Sequence, residues 1–314
     1  MLNPKISFSN TIVIFGGSGF LGRYVVSLLV KNNFMIKVGV RNPDKAKHIS
    51  IMGYLGQVSI MKCDITDLES VNKMVQGSHN VINLIGILNE NKKQSFNNIH
   101  VNGVINIAKA CDKYKVRSLI HISALAIDKN ESSIYAKSKI EAERVIKNFF
   151  KKTIILRPSV IYGAEDDFIN KFAKISVVSP FLPLINRGKT KFQPVSVLDV
   201  AKAIEVVLLN EKFIGKTFHL GGPEIFSFKE ILDLILDITG RKKIYINLNF
   251  FIAEIIARIF SIFPNNPMYL DHIKLLKTDN IVPKNTLGFK DLGINPYSME
   301  TIVYKYLYRY KVSS

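Results

Sequence analysis

The residues that most restrict the fold of this 314-residue chain are Gly16-Gly17-Ser18-Gly19-Phe20-Leu21-Gly22. They follow a β-branched apolar run at 11–15 and lead at once into an amphipathic run at 23–30, so the segment reads strand, glycine turn, helix. The spacings Gly17-x-Gly19-x-x-Gly22 and Gly16-x-x-Gly19-x-x-Gly22 are both met. In such a turn one glycine permits the tight bend, one lets backbone approach a pyrophosphate, and one lets helix pack closely on strand. The first N–H groups of the helix have no partner within it, and the helix dipole adds about 0.3 to 1 kcal/mol for an anion placed there. Gly16, Gly17, Ser18, Gly19, Phe20, Leu21 and Gly22 are therefore expected to cradle the phosphates of a dinucleotide.

Strand and helix patterns then alternate at βαβ spacing: 11–15 with 20–32, 36–40 with 43–52, 58–62 with 68–76, 81–85 with 95–115, 118–122 with 133–150, then 154–156. The strand runs are almost wholly apolar, as they are where helices cover both faces of a parallel sheet. The predicted class is α/β, a doubly wound Rossmann parallel sheet with right-handed crossovers. After Arg157-Pro158 the pattern turns irregular, with Pro180, Pro183 and Pro194 punctuating loops around helical runs at 197–209 and 227–239. The expected division is a nucleotide-binding domain over 1–156 and a smaller C-terminal lobe over 157–314, interleaved with it and without a Gly- or Ser-rich linker.

The end of the second strand bears on cofactor preference. An NAD-type site usually carries Asp or Glu about 20 residues after the glycines, for the ribose 2′-hydroxyl. Arg41 stands there instead. A guanidinium grips a 2′-phosphate through two parallel hydrogen bonds, and Lys45 adds charge, so NADP(H) is expected over NAD(H). Asp64, followed by Ile65, is placed to accept from an adenine amino group, whereas Asp67 reads as a helix cap. Asn83-Leu84-Ile85-Gly86 is expected to pass beneath the ribose and pyrophosphate, with Gly86 allowing close approach. Leu84 and Ile85 read equally as core.

Forty-three Lys and Arg against 25 Asp and Glu give a formal charge of +18. That excess suits an anionic partner such as a nucleotide, an acidic protein or a membrane surface. It is also what coding biased towards A and T gives a chain rich in Lys, Ile and Asn. Nucleic acid is not expected as a partner, because the basic residues are scattered and no helix-turn-helix, zinc or aromatic RNA-binding pattern is present. Cys63 and Cys111 cannot build a disulfide framework and have no metal-ligand spacing, so no metal is expected and both read as small buried residues in a reducing compartment. The first ten residues are too short and polar for a secretory signal, which makes a cytoplasmic chain the expectation.

The most apolar segment, 250–263, is broken by Glu254 and Arg258 and falls short of the ~18 uncharged residues a membrane span requires. Within it Phe251, Ile252, Ile255, Ile256, Ile259 and Phe260 share one helical face opposite Glu254, Arg258 and Ser261. That face reads first as packed on the lobe's own core, and otherwise as docked on a membrane-embedded partner or the bilayer interface. A second apolar run, 175–185, reads as a contact surface or as a loop over the cofactor cleft. With the excess of basic residues, the expectation is peripheral, salt-sensitive contact with the cytoplasmic face of the inner membrane.

The glycine turn, Asp64, Asn102, Tyr135-Ala-Lys-Ser-Lys139 and Arg157-Pro158-Ser-Val-Ile-Tyr162-Gly163 together resemble the short-chain dehydrogenase/reductase superfamily in its extended or atypical branch. Within that branch the chain is similar to the family of the nucleotide-binding accessory subunit of respiratory complex I and its alphaproteobacterial relatives. The stretches that carry this are Gly19-Phe-Leu-Gly-Arg-Tyr24, Gly163-Ala-Glu-Asp-Asp-Phe168, Gln193-Pro-Val-Ser-Val-Leu-Asp-Val200 and Asp271-His-Ile-Lys-Leu-Leu-Lys-Thr-Asp-Asn280. The likeness covers nearly the whole chain and adds Asn102, Tyr135, Lys139 and Pro158 to the residues expected at the cofactor. It implies NADP(H) held chiefly for structure, complex I subunits as partners, and a role in assembly or stability of NADH:ubiquinone oxidoreductase.

In active members of the superfamily a tyrosine exchanges the proton during hydride transfer, a lysine four residues later lowers its pKa and holds the nicotinamide ribose, and a serine or threonine orients the substrate. Tyr135 and Lys139 match, one helix turn apart. The third member departs from the pattern, because Leu125 stands where the hydroxyl is expected. Ser123 is the substitute candidate, for cofactor or substrate, with Ser132 and Ser133 as alternatives. Positioned acid-base groups contribute about 10² to 10⁴ in rate, so a depleted set leaves slow turnover. Two other readings stay open: an NADPH-dependent reductase on a quinone, isoprenoid or lipid-like substrate, and an NADP(H) redox sensor.

Overall fold

The apolar runs form the strands and the amphipathic runs the helices that cover them. The structure, a computed structural model, describes residues 11–260 and 269–312. In chain order the first part is β1 (Thr11–Phe15), α1 (Phe20–Lys31), β2 (Met35–Val40), α2 (Lys47–Ser50), β3 (Val58–Lys62), α3 (Leu68–Val75), β4 (Asn80–Asn83), α4 (Gly103–Lys113), β5 (Ser118–Ile122), α5 (Ile134–Phe149) and β6 (Thr153–Pro158). There follow β7 (Ile161–Tyr162), α6 (Ile169–Val178), β8 (Phe181–Ile185), β9 (Lys191–Phe192), β10 (Val195–Ser196), α7 (Val197–Leu209) and β11 (Thr217–Leu220). The chain ends with β12 (Phe226–Ser227), α8 (Phe228–Thr239), β13 (Ile244–Leu248), α9 (Phe250–Phe260), α10 (Leu270–Leu275) and α11 (Met299–Leu307).

A seven-stranded parallel sheet has the order β3-β2-β1-β4-β5-β6-β11. Because β2 and β3 lie on one side of β1 and β4 to β6 on the other, the winding reverses between β1 and β4. In open α/β sheets ligands settle in the crevice beyond the strand ends at that reversal. Val13, Phe15, Val81, Leu119 and Ile155 of the strands pack with Val71 and Met74 of α3, Ile107 of α4 and Ile146 of α5, all of them buried.

By its contacts the chain does not divide at one point near residue 156. One unit comprises Met1–Ser123, Ser138–Arg157 and Val200–Phe218, and the other Ala124–Lys137, Pro158–Asp199 and His219–Ser314. The second unit has its own cores, one joining Tyr162, Ile169, Phe228, Ile231, Val303 and Leu307, and a smaller one of Ile185, Ala253, Ala257 and Ile273.

Four elements differ from the sequence expectation. The helix expected over 43–52 is a 3-10 turn, Asp44–Ala46, followed by the single turn of α2. Asn42 Oδ1 accepts from the amides of Asp44 and Lys45, and only Ala46 and Ile49 are buried, too small an apolar face to hold a longer helix. The helix expected over 95–115 opens with a π-helical stretch, Asn97–Asn102, before α4. β4 stops at Asn83, whose Oδ1 takes the amide of Ile85.

The fourth difference concerns α9. Its packed face is Ala253 and Ala257, not the large residues: Phe251 is 72% exposed, and Ile252, Ile255, Ile259 and Phe260 are exposed as well. Small side chains let the helix backbone approach Ile185 and Ile273 closely, and the broad apolar stripe faces away. Ser261 and the rest of the 250–263 segment, like the first ten residues, lie outside the described residues. No helix among the described residues is long and apolar enough to cross a membrane.

Candidate functional site

β1 delivers the glycine turn to the start of α1. Gly19 is the N-cap and supplies no side-chain hydrogen bond, and no acidic residue sits in the first turn. The opening amides of this 12-residue helix therefore lack the usual side-chain acceptor, which is the arrangement an anion fills. Gly16 has φ +81°, and a Cβ on it would lie 3.1–3.2 Å from Ile85 and Leu84. A Cβ on Gly22 would lie 2.3 Å from Gly16 O and 2.6 Å from Gly17 Cα. The turn is thus bare backbone pressed against the end of β4, where Leu84 N donates to Phe15 O at 2.9 Å.

Arg41 and Lys45 are exposed just after β2. Asp44, the carboxylate near them in sequence, pairs instead with Lys47 at 2.8 Å. Asp64 is exposed and accepts from Thr66 N and Thr66 Oγ1 through its Oδ1, while Ile65 is buried. Asp67 caps α3 by accepting from Glu69 N. Asn102 is exposed and donates to Asn98 Oδ1 within its own helix. Gly103 beside it leaves room for Ile65, whose Cδ1 would lie 2.5 Å from a Cβ there.

At the ends of β4 and β5 the first unit buries a polar cluster. Ile85 N donates to Asn83 Oδ1, which turns the Asn83 amide NH2 towards His121 Nδ1 at 3.1 Å. Assigned from that pattern, His121 carries its proton on Nε2, a buried donor without a partner among the described residues. His100 Nε2 accepts from Ile87 N at 3.0 Å, so its Nδ1–H faces Ser138 Oγ at 2.8 Å. A backbone N–H can only donate, which requires a neutral ring. Burial, with the Lys139 charge next, holds His100 down to about 2 and His121 down to about 3.

Lys139 is 4% exposed and donates to Ile122 O at 3.2 Å. Burial pushes its ammonium down to about 8, against an opposing pull from Glu143. Glu143 itself is held by Arg157 through two bonds of 2.8 and 2.7 Å. A Cβ on Gly86 would lie 3.3 Å from Lys139 Nζ and 3.7 Å from His100 Nε2, so Gly86 admits a close approach there. Ser123 Oγ, 4% exposed, has no partner among the described residues.

In the second unit the N-terminus of α5 is capped by a carboxylate from far along the chain. Asp271 of α10 accepts from Ser133 Oγ at 2.6 Å, Ile134 N at 2.9 Å and Tyr135 N at 3.1 Å. Ser133 is thereby committed, and Ser132 points to Asn130 Oδ1 at 3.5 Å. Leu125 is buried, and its amide donates to Pro158 O. Burial, then the Asp271 charge, raises the Tyr135 phenol to about 12. Tyr135 and Lys139 lie four residues apart on the same helix, α5. Asp271→Asn is expected to cost about 1 kcal/mol through the weakened cap and to move the Tyr135 titration back towards 10, read by phenolate absorbance; an unmoved titration would remove Asp271 from the account.

His100, His121, Ser138 and Asp271 had no assigned role in the sequence reading. Ser138 and Asp271 stood within stretches that carry the family likeness, and His121 left a signal of its own, a titratable residue inside a largely apolar strand. The bare cradle, the open start of α1, the two exposed cations and the orphaned Ser123 hydroxyl fit a phosphate-bearing dinucleotide. Among the described residues no group of three His, Cys, Asp or Glu could hold a metal ion.

Residues 12–221 match the family described as "NAD dependent epimerase/dehydratase family". The chain is 34% identical, over 95% of its length and 77% of the relative's, to NADH dehydrogenase (ubiquinone) 1 alpha subcomplex subunit 9, mitochondrial, of Arabidopsis thaliana. It is 30% identical, over 96% of its length and 80% of the relative's, to the NADH-ubiquinone oxidoreductase 40 kDa subunit, mitochondrial, of Neurospora crassa. Among solved structures, a nucleoside-diphosphate-sugar epimerase of Staphylococcus aureus has a TM-score of 0.73 at 18% identity, covering 95% of this chain and 99% of its own. A dTDP-glucose 4,6-dehydratase of Bacillus anthracis in complex with NAD has a TM-score of 0.71 at 17% identity, covering 96% of both chains.

Proposed function

The chain belongs to the NAD dependent epimerase/dehydratase family, and on that premise we propose that it holds NADP(H) as a structural group and serves as an accessory subunit in the assembly or stability of a respiratory NADH:ubiquinone oxidoreductase. The observation that carries this reading is similarity to proteins named as subunits of that complex over nearly the whole chain, at 34% identity. In this reading the residues from Gly16 to Gly22 bind the pyrophosphate, and Arg41 with Lys45 binds the 2′-phosphate. Asp64 and Ile65 border the adenine. Asn83, Leu84, Ile85, Gly86 and Asn102 line the ribose side, and Ser123, Tyr135, Lys139 and Pro158 the nicotinamide end.

NADPH, when bound, would supply a hydride from its nicotinamide, and NADP+ would accept one. The side chains around it favour holding over turnover. Ser133 is committed to Asp271, and Leu125 can neither donate nor accept. The reductase and redox-sensor readings are not favoured. Peripheral contact with a membrane is part of the proposal, supported by the exposed stripe of α9, where Phe251, Ile255 and Ile259 face away from the core.

The test is to purify the tagged chain without added nucleotide, identify what it releases by mass, and look for copurifying subunits of the dehydrogenase. Retained NADPH that is not consumed with a quinone or carbonyl panel, together with those subunits, is the expected result. NADPH oxidation that depends on one substrate and disappears in Tyr135→Phe would overturn it. Arg41→Ala is expected to weaken NADPH about tenfold or more, the loss of a charge-assisted bidentate contact, while changing NADH little. Equal losses for both nucleotides in a fluorescence titration would remove the 2′-phosphate role.

A further inference from the structure

The second unit carries a cationic cleft built from three separated segments. It measures about 300 Å³ and is lined by Lys174, Val177 and Val178 of α6, by Arg241, and by Arg309, Tyr310 and Lys311. The guanidinium groups are held in place by the fold. Arg241 Nε donates to Tyr310 O at 3.3 Å. Arg309 donates to Ala164 O at 2.6 Å and to Asn170 Oδ1 at 2.5 Å, and it lies over the rings of Tyr306 and Tyr310. Each guanidinium keeps further N–H donors beyond these bonds.

A simpler role for the cations is to offset helix dipoles, since α6, α8 and α11 all end beside the cleft. Each helix end contributes about half a negative charge, about 1.5 in all. Four cations exceed that, and none of the lining residues is acidic. The cleft therefore has positive charge to spare.

One rim is apolar. Val178 is 84% exposed, and next to it Phe181 and Ile244, paired in register across β8 and β13, are 45% and 63% exposed. A free phosphate ester would leave that rim in water; a phosphate attached to an acyl chain would use both parts. We propose that this cleft binds the headgroup phosphate of an anionic phospholipid, with the lipid's apolar part against Val178, Phe181 and Ile244. The inference rests on the membrane contact proposed above and adds to it a lipid class and a site.

The test is cosedimentation of the whole protein with phosphatidylcholine vesicles with and without phosphatidylglycerol. Three variants are compared: Lys174→Glu/Lys311→Glu in the cleft, Phe251→Asp/Ile255→Asp on α9, and Lys151→Glu/Lys152→Glu as a charge control in the other unit. Lys174 and Lys311 are exposed, so the cleft variant is expected to fold. The expected result is phosphatidylglycerol-dependent binding that the cleft variant weakens about tenfold or more and the control variant much less, while glycerol phosphate in solution does not displace the vesicles. An equal loss in the control variant would make the effect diffuse charge, and displacement by glycerol phosphate would make the ligand a soluble ester. Either overturns the proposal. If the cleft variant binds like the wild type while the α9 variant does not, the lipid site falls and the membrane reading stands; if the wild type binds neither vesicle, both fall.

Discussion

Gly22→Ala is expected to abolish dinucleotide binding and to lower the melting temperature of the free protein, whereas Gly19→Ala is expected to lose the nucleotide with little change in the fold. The two differ in what a new Cβ meets. At Gly22 it would sit 2.3 Å from Gly16 O and 2.6 Å from the Gly17 backbone. Gly17 has little room to retreat, because the Val38 side chain packs against it, close enough that a Cβ there would come within 2.8 Å. Helix and turn must therefore separate, and overpacking of this kind costs about 1–3 kcal/mol or more. At Gly19 the nearest atom is 3.3 Å away and φ is −77°, which alanine adopts freely. There the methyl group projects at the start of α1 and obstructs the approach of a pyrophosphate. Calorimetric titration with NADPH and thermal unfolding without it separate the cases. Two variants that bind NADPH as the wild type does would dismiss the turn as a phosphate cradle.

Acidification from pH 6.5 to about pH 5 is expected to cost about 3 kcal/mol of stability through His100 and His121 alone. Both rings titrate near 6.5 in the unfolded chain and are held down to about 2 and about 3 in the folded protein, burial being the main cause. Between those values the unfolded chain binds more protons, so stability is full above 6.5 and falls as pH drops. Two protons make the slope approach about 2.7 kcal/mol per pH unit once pH is well below 6.5. Lys139 acts in the same sense at higher pH. Its folded value near 8 lies below the ordinary lysine value of 10.5, so the penalty for burying its charge is present below 8 and disappears as pH rises towards 10.5. Denaturant unfolding across this range measures the slope. His100→Phe or His121→Phe should each remove about half of the acid-side slope, whatever the variant's stability at neutral pH. A slope untouched by either substitution would show that the rings are not the groups being titrated.

The sheet and the strand–glycine turn–helix unit were legible in the chain because each depends on a local pattern. β5 runs over Ser118–Ile122 and α7 over Val197–Leu209, as the apolar runs predict. The cap of α8 is equally local: Ser227 and Glu230 form a capping box three residues apart. Elements at 43–52 and 95–115 were harder, because Asn42 accepting from the amides of Asp44 and Lys45 and a π-helical stretch leave little trace in hydrophobic period. The face of α9 was misread because apolar size was taken as the sign of burial, while Ala253 and Ala257 made the closer packing surface.

The sequence by itself determined the strand–turn–helix unit, the Arg41 position and the departure at Leu125, since spacing along the chain and the absence of a Cβ or a hydroxyl are properties of the residues themselves. Tertiary structure decided the rest. Asp271 reaches the start of α5 from 138 residues beyond Ser133, and the ionisation of His100, His121 and Lys139 follows from burial beside one another. Lys174, Arg241 and Lys311 line one cleft from three separate segments. Desolvation and long-range charge depend on which distant segments pack together, and no local period in the chain encodes that.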